Sequence, residues 1–176
     1  MDTLHITSAE SLDMVNNMTR QIGPDELDAR LITLLTEQPR IGVLECARRL
    51  AVARGTVQAR LDKLTERGVI TGFGPHVSPA ALGYGVTAFV TIEIRQMRGR
   101  EAVTRHLADI PEVLEAHTVT GSGDLMCRIV SRTNADLQRV IDRIVSSEGV
   151  MRASTVIALA EQIPYRTLPL VSTAAR

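Results

Sequence analysis

The chain has 176 residues with 44% apolar and 23% charged side chains, enough for packed cores and too apolar for a disordered chain. Twenty acids balance twenty bases, which excludes a uniformly basic nucleic-acid coat protein and leaves room only for a local basic patch. No apolar run reaches the ~18 residues of a membrane helix, and the first residues carry no secretory signal, so the expected compartment is the cytoplasm.

Residues 1–23 are polar and read as a tail. Pro24, Asp25 and Glu26 then mark a helix entrance, because acids favour the first turn. Leu27, Leu31, Leu34 and Leu35 form one helical stripe, closed by Pro39. Val43, Cys46, Ala47 and Leu50 give a second short helix, and Val57, Leu61 and Leu64 a third, ended by Gly68. Three short helices joined by tight turns make a helix-turn-helix module, assigned to 24–74. Val69 to Val77 reads as a short strand or ribbon, the wing of a winged-type module. Residues 75–84, with one helical turn at Ser78 to Gly83, are taken as the linker.

The second half repeats a different order. Val86 to Arg95 is a strand, Arg100 to Ile110 a helix, Val113 to Thr120 and Leu125 to Ser131 strands, Asn134 to Ser147 a helix, and Val150 to Leu159 the last strand. This β-α-β-β-α-β order is that of a ferredoxin-like α+β sandwich, spanning 85–162, with 163–176 left as a C-terminal tail. On the first strand Val86, Ala88, Val90 and Ile92 are assigned to one face, Phe89 and Ile94 to the other. Both faces are apolar, so a second subunit is expected to cover the one that helices leave bare.

The chemistry-bearing residues are few. Cys46 and Cys127 form no C-x-x-C pair and read as small core hydrophobes. The four histidines lack metal-ligand spacing, and no Ser/His/Asp set or paired carboxylates suggest catalysis, so neither enzyme activity, metal nor cofactor is expected. With four aromatics in all, the chain cannot build a stacking platform for single strands. Charge, however, is uneven. Between Arg40 and Gly68 seven bases face three acids, a local balance of +4, whereas Gly85 to Ile157 holds nine of each sign.

The segments "LDARLITLLTEQPR", "TVQARLDKLTERGVITGF", "SPAALGY", "VTGSGDLMCRIV" and "GVMRASTVIAL", in this order over Asp25 to Leu159, resemble the Lrp/AsnC (feast/famine) family of transcription regulators. The resemblance implies a sequence-specific regulator of double-stranded DNA whose C-terminal domain binds a small effector, usually an amino acid, at a subunit interface. It also implies a homodimer that assembles further, up to an octamer. On the third helix, Thr56, Gln58 and Arg60 are the base-reading candidates, and Arg54, Lys63 and Arg67 the phosphate contacts. Ala53-Arg54-Gly55 stands where the family often has a capping Ser or Thr, so the third helix is either weakly capped or capped by Thr56. The effector candidates are Gly121, Ser122, Gly123 and Asp124 in the turn between the central strands, with Thr155 from a neighbouring subunit. Backbone N–H groups exposed by the two glycines suit a carboxylate, and Asp124 an ammonium group. The alternatives are a plain hairpin turn and a sensing module that acts through a protein partner.

Overall fold

A computed structural model describes residues 23–95 and 99–175. The tail 1–23 therefore lies, but for Gly23, outside the described residues. The chain divides into two compact units: residues up to Pro75 together with Tyr165 onward, and His76–Pro164.

In the first unit, α1 spans Glu26–Glu37, α2 Val43–Leu50 and α3 Arg54–Glu66. Helix α1 starts because Asp25 and Asp28 form a reciprocal capping box: the Asp25 carboxylate accepts from Asp28 N at 2.9 Å, and that of Asp28 from Asp25 N at 3.2 Å. Ala51 takes the left-handed conformation (φ 56°) and turns the chain from α2 into α3. Gly68 (φ 67°) ends the α3 region at little steric cost. The core of the unit is Leu31, Cys46, Ala47, Leu50, Val57, Leu61 and Leu64, the residues the helical periodicity singles out.

Two expectations need correction here. Residues 69–77 form no strand: Gly72, Gly74 and Pro75 interrupt the stretch, no ladder partner lies beside it among the described residues, and Phe73 and Val77 stay exposed. The segment read as a C-terminal tail holds a helix, α6 (Leu168–Ala174), which packs on α1 in the first unit.

The second unit is one antiparallel sheet in the order β2-β3-β1-β4, with α4 (Arg100–Ala108) and α5 (Asn134–Val145) on one face. The strands are β1 Val86–Ile94, β2 Val113–Thr118, β3 Leu125–Ser131 and β4 Val150–Ala158. Ala88, Val90 and Ile92 of β1 and Leu125, Cys127 and Ile129 of β3 meet Val103, Leu107, Leu137, Val140 and Ile144 of the helices. Ile94 was assigned by the sequence to the opposite face, yet it packs against this same helix-side core. Its even position shares the parity of Ile92, and the register shift with β4 falls between Glu93 and Ile94. Both cysteines are buried and free, and burial pushes the Cys127 thiol up to about 11. The other face of the sheet leaves Phe89, Leu114, Met126 and Val156 substantially exposed. No described helix is long and apolar enough to cross a membrane.

Candidate DNA-reading helix and effector turn

Helix α3 buries Val57, Leu61 and Leu64 and turns the rest of its surface outward. Arg54, Thr56 and Lys63 are exposed, and their side chains make no hydrogen bond or ion pair among the described residues. Gln58 is also exposed, but its amide donates to Asp62 Oδ1 at 2.8 Å, so reading a base requires releasing that bond. Ala53 is the N-cap and supplies no side-chain bond, and Thr56 does not substitute for one. Ala53→Ser is therefore expected to stabilise the first unit by about 0.5–2 kcal/mol, seen as a higher midpoint in thermal unfolding.

Arg60, expected among the base readers, is engaged within the unit instead of standing free on the outward surface. Its guanidinium turns back onto α1, with Nη1 2.5 Å from Asp25 Oδ2 and 2.7 Å from Asp28 Oδ1. Asp28 is one of only two polar residues buried among the described positions, and Arg60 is its charge partner. The hydrogen bond from Arg60, joined by the capping-box amides and the guanidinium's charge, holds the Asp25 carboxyl below its ordinary range. The same two carboxylates raise the Arg60 pKa. Arg67, on the same side of the helix, reaches the Gly23 carbonyl at 3.4 Å, so it too is directed to α1. Both arginines are expected from the sequence to meet DNA; in the fold, the Arg60–Arg67 edge of α3 faces α1 and the residues just before it. The signal for this clamp was present at Asp25 and Asp28, three residues apart at a helix start, but periodicity does not say which distant cation they meet. Arg48 and Arg49 on α2 pair with Glu45 at 3.5 and 3.1 Å on the surface.

The effector candidates divide in a similar way. Gly121 has φ 111°, a conformation glycine adopts at no steric cost. At Gly123 a Cβ would stand 2.3 Å from Thr91 Cγ2 and 3.3 Å from Ile92 O, so only glycine fits beside β1. The backbone N–H groups of Gly121, Ser122 and Gly123 donate to no acceptor among the described residues. Ser122 and Gly123 line a cavity of about 480 Å3 together with Thr91, Thr118, Thr120 and Met126, among others. Thr91 and Met126 are register partners across β1 and β3, which strand alternation would have placed together had the pairing been known.

Asp124 is a staple. Its Oδ2 accepts from Ile94 N at 2.7 Å while its own N donates to Ile92 O at 2.9 Å. Only the other carboxylate oxygen remains for an ammonium group. Thr155 is not brought to this cavity. It pairs with Val90 and so shares the helix-facing side of the sheet, whereas Ser154 pairs with Thr91 on the cavity side.

The Lrp/AsnC ligand binding domain family matches residues 87–168, and the AsnC-type helix-turn-helix domain family matches residues 25–65. An HTH-type transcriptional regulator, FL11 of Pyrococcus furiosus, is 30% identical over 83% of this chain and 96% of its own length. Its namesake in Pyrococcus horikoshii is 31% identical over the same shares. Among solved structures, AsnC of E. coli superposes with a TM-score of 0.77 at 28% identity, covering 83% of this chain and 99% of that one. A transcriptional regulator of Neisseria meningitidis, solved as its L-Met complex, gives 0.76 at 25% identity over 85% and 99% of the two chains. With both modules matched in order, along a fold of three helices followed by a β-α-β-β-α-β sheet unit, the chain belongs to the Lrp/AsnC family of helix-turn-helix transcriptional regulators.

Proposed function

We propose that the chain reads specific double-stranded DNA through α3 and that an amino acid held at the Gly121–Asp124 turn tunes this binding. The observation that carries the DNA reading is the outward surface of α3, where Arg54, Thr56 and Lys63 have no partner among the described residues, in a segment of +4 balance. Arg54 and Lys63 serve as phosphate contacts, Thr56 and Gln58 as base readers, and Arg67 as a residue shared between α1 and the backbone of the DNA. The effector reading is supported by the undonated N–H groups of Ser122 and Gly123, residues that line a cavity large enough for an amino acid, with the Ser122 hydroxyl and one Asp124 oxygen to orient it. The L-Met complex of the Neisseria relative favours an amino acid as the ligand class.

Two copies present two recognition helices to half-sites about one helical turn apart or a multiple of it. The open sheet face, with Phe89, Leu114, Met126 and Val156 exposed, is the surface we assign to the second copy. Further association of dimers, up to an octamer, is the state on which the effector would act.

Fluorescence anisotropy on the chain's own upstream DNA against a scrambled fragment, at two salt concentrations and with or without amino acids, tests both parts. Tighter binding to the upstream fragment, shifted by amino acids, is the expected result. Specific binding with no shift removes the effector, and equal binding to both fragments removes the regulator. Lys63→Ala should weaken both fragments alike and lower the slope of log affinity against log salt by about 1. An unchanged slope would take Lys63 off the phosphates.

A further inference from the structure

Helix α6 begins where the ligand-domain match ends, at residue 168, and lies beyond the helix-turn-helix match. It is thus an addition to the two matched modules, yet it packs inside the DNA-reading unit. Its half-buried residues are Leu168, Val171 and Ala175, at i, i+3 and i+7, while Leu170 on the other side is 67% exposed. The surface it meets lies on α1, next to Arg49 and Leu50 of α2. Ala29, Thr33 and Leu34 there are half-buried, and with Ser172 and Ala175 they line a shared groove.

The contact reaches the end of α1 that matters most for α3. A Cβ on Gly23 would stand 3.1 Å from the Ala174 carbonyl oxygen, so α6 closes onto the backbone two residues before the Asp25 N-cap. That same short stretch holds α3 at two points, through Arg67 to the Gly23 carbonyl and through Arg60 to Asp25 and Asp28. A helix from the far end of the chain and the recognition helix therefore share one anchor.

We propose that α6 braces the recognition helix, with Leu168 and Val171 as positioning residues that act on α3 through the first turn of α1. The proposal rests on α3 being the DNA reader. Without the brace the Gly23–Asp28 turn gains freedom, and the angle at which α3 enters a major groove is less well defined. Specific binding depends on that angle; non-specific attraction to phosphates does not.

The test compares Val171→Asp, the conservative Val171→Ile and a chain ended at Pro164 with the full chain. Hydrogen exchange at the Asp28 and Ala29 amides is expected to speed up at least about tenfold in Val171→Asp and in the shortened chain, with Val171→Ile close to the full chain. Exchange in the middle of α2 should stay slow, and the buried Cys46 thiol should stay unreactive, which shows the unit still folded. The ratio of specific to non-specific DNA affinity should fall about tenfold in the same two variants. Unchanged exchange at Asp28 and Ala29 would overturn the brace. So would a Cys46 that reacts as fast as in denaturant, since α6 would then simply hold the unit together. If the full chain prefers no DNA sequence, the DNA reading fails, and the exchange rates still decide whether α6 holds this turn.

Discussion

Arg60→Ala is expected to destabilise the first unit by on the order of 2–4 kcal/mol, through α1 rather than through DNA. The substitution leaves the Asp28 carboxylate, 5% exposed, without its cation, and an uncompensated buried charge is what makes a broken ion pair costly. The figure stays near the low end of the range for a deeply buried pair, because Asp25 keeps more than half of its side chain in water and its share is screened. Urea unfolding should show the loss in the first unit alone, with the sheet unit's transition unmoved. Replacing the partners together, Arg60→Met with Asp28→Leu, should recover most of it, since two apolar groups leave no orphaned charge. A loss of sequence preference at unchanged stability would instead return Arg60 to the base readers.

The clamp also sets an acid limb. The folded pKa of Asp25 lies below its ordinary value of 3.8, chiefly because Arg60 donates to it, so its contribution is complete above that value. It is lost as pH falls through the lower, folded value. Arg60, whose own pKa is raised, stays charged throughout this window. Stability of the wild-type unit should therefore fall more steeply below about pH 4 than that of Arg60→Ala, and the two acid titrations should converge.

Arg60 also shows where the sequence stops being informative. Stripes such as Val57, Leu61 and Leu64, or Ala88, Val90 and Ile92, are legible because burial repeats with the period of the helix or strand. What lies beside the stripe is not legible in the same way. Whether Arg60 faces solvent or α1 depends on how two helices 32 residues apart pack, and charge patterning carries no such distance. The face that Thr155 occupies is set in the same way. A strand's parity is readable, but its register against β1 is a long-range fact, and a shift of one residue exchanges the faces of Thr155 and Ser154. Residues 69–77 have β-forming side chains without a neighbouring strand, and such propensity yields no sheet by itself. Helix α6 was missed because seven residues carry too short a pattern to distinguish from a tail.

Gly123→Ala is expected to abolish any amino-acid response while sparing the DNA surface. The added methyl would sit 2.3 Å from Thr91 Cγ2 and 3.3 Å from Ile92 O, so either Thr91 rotates or the turn moves away from β1, and the backbone contact favours moving the turn. Moving it breaks the Asp124 staple, whose two bonds to Ile92 O and Ile94 N fix the turn against that strand. The cost to the sheet unit should be about 1–3 kcal/mol, and the undonated N–H groups of Ser122 and Gly123 lose their arrangement with it. Thr91→Ser removes the opposing Cγ2 methyl, so the double variant should regain part of the stability, with a coupling of about 1 kcal/mol between the two sites. Gly121→Ala makes the contrast: nothing lies within 4 Å of its Cβ, so its strain is confined to the backbone at φ 111° and Thr91→Ser should not relieve it. Calorimetric unfolding of the wild type, Gly123→Ala, Thr91→Ser and the double variant measures the coupling, and repeating it with saturating amino acids separates the two uses of the turn. If the turn cradles a ligand, amino acids raise the wild-type midpoint and not that of Gly123→Ala, with the double variant between them. If it is only a hairpin, the same coupling is found and no midpoint moves, because tight packing of Gly123 on Thr91 then serves β1 alone.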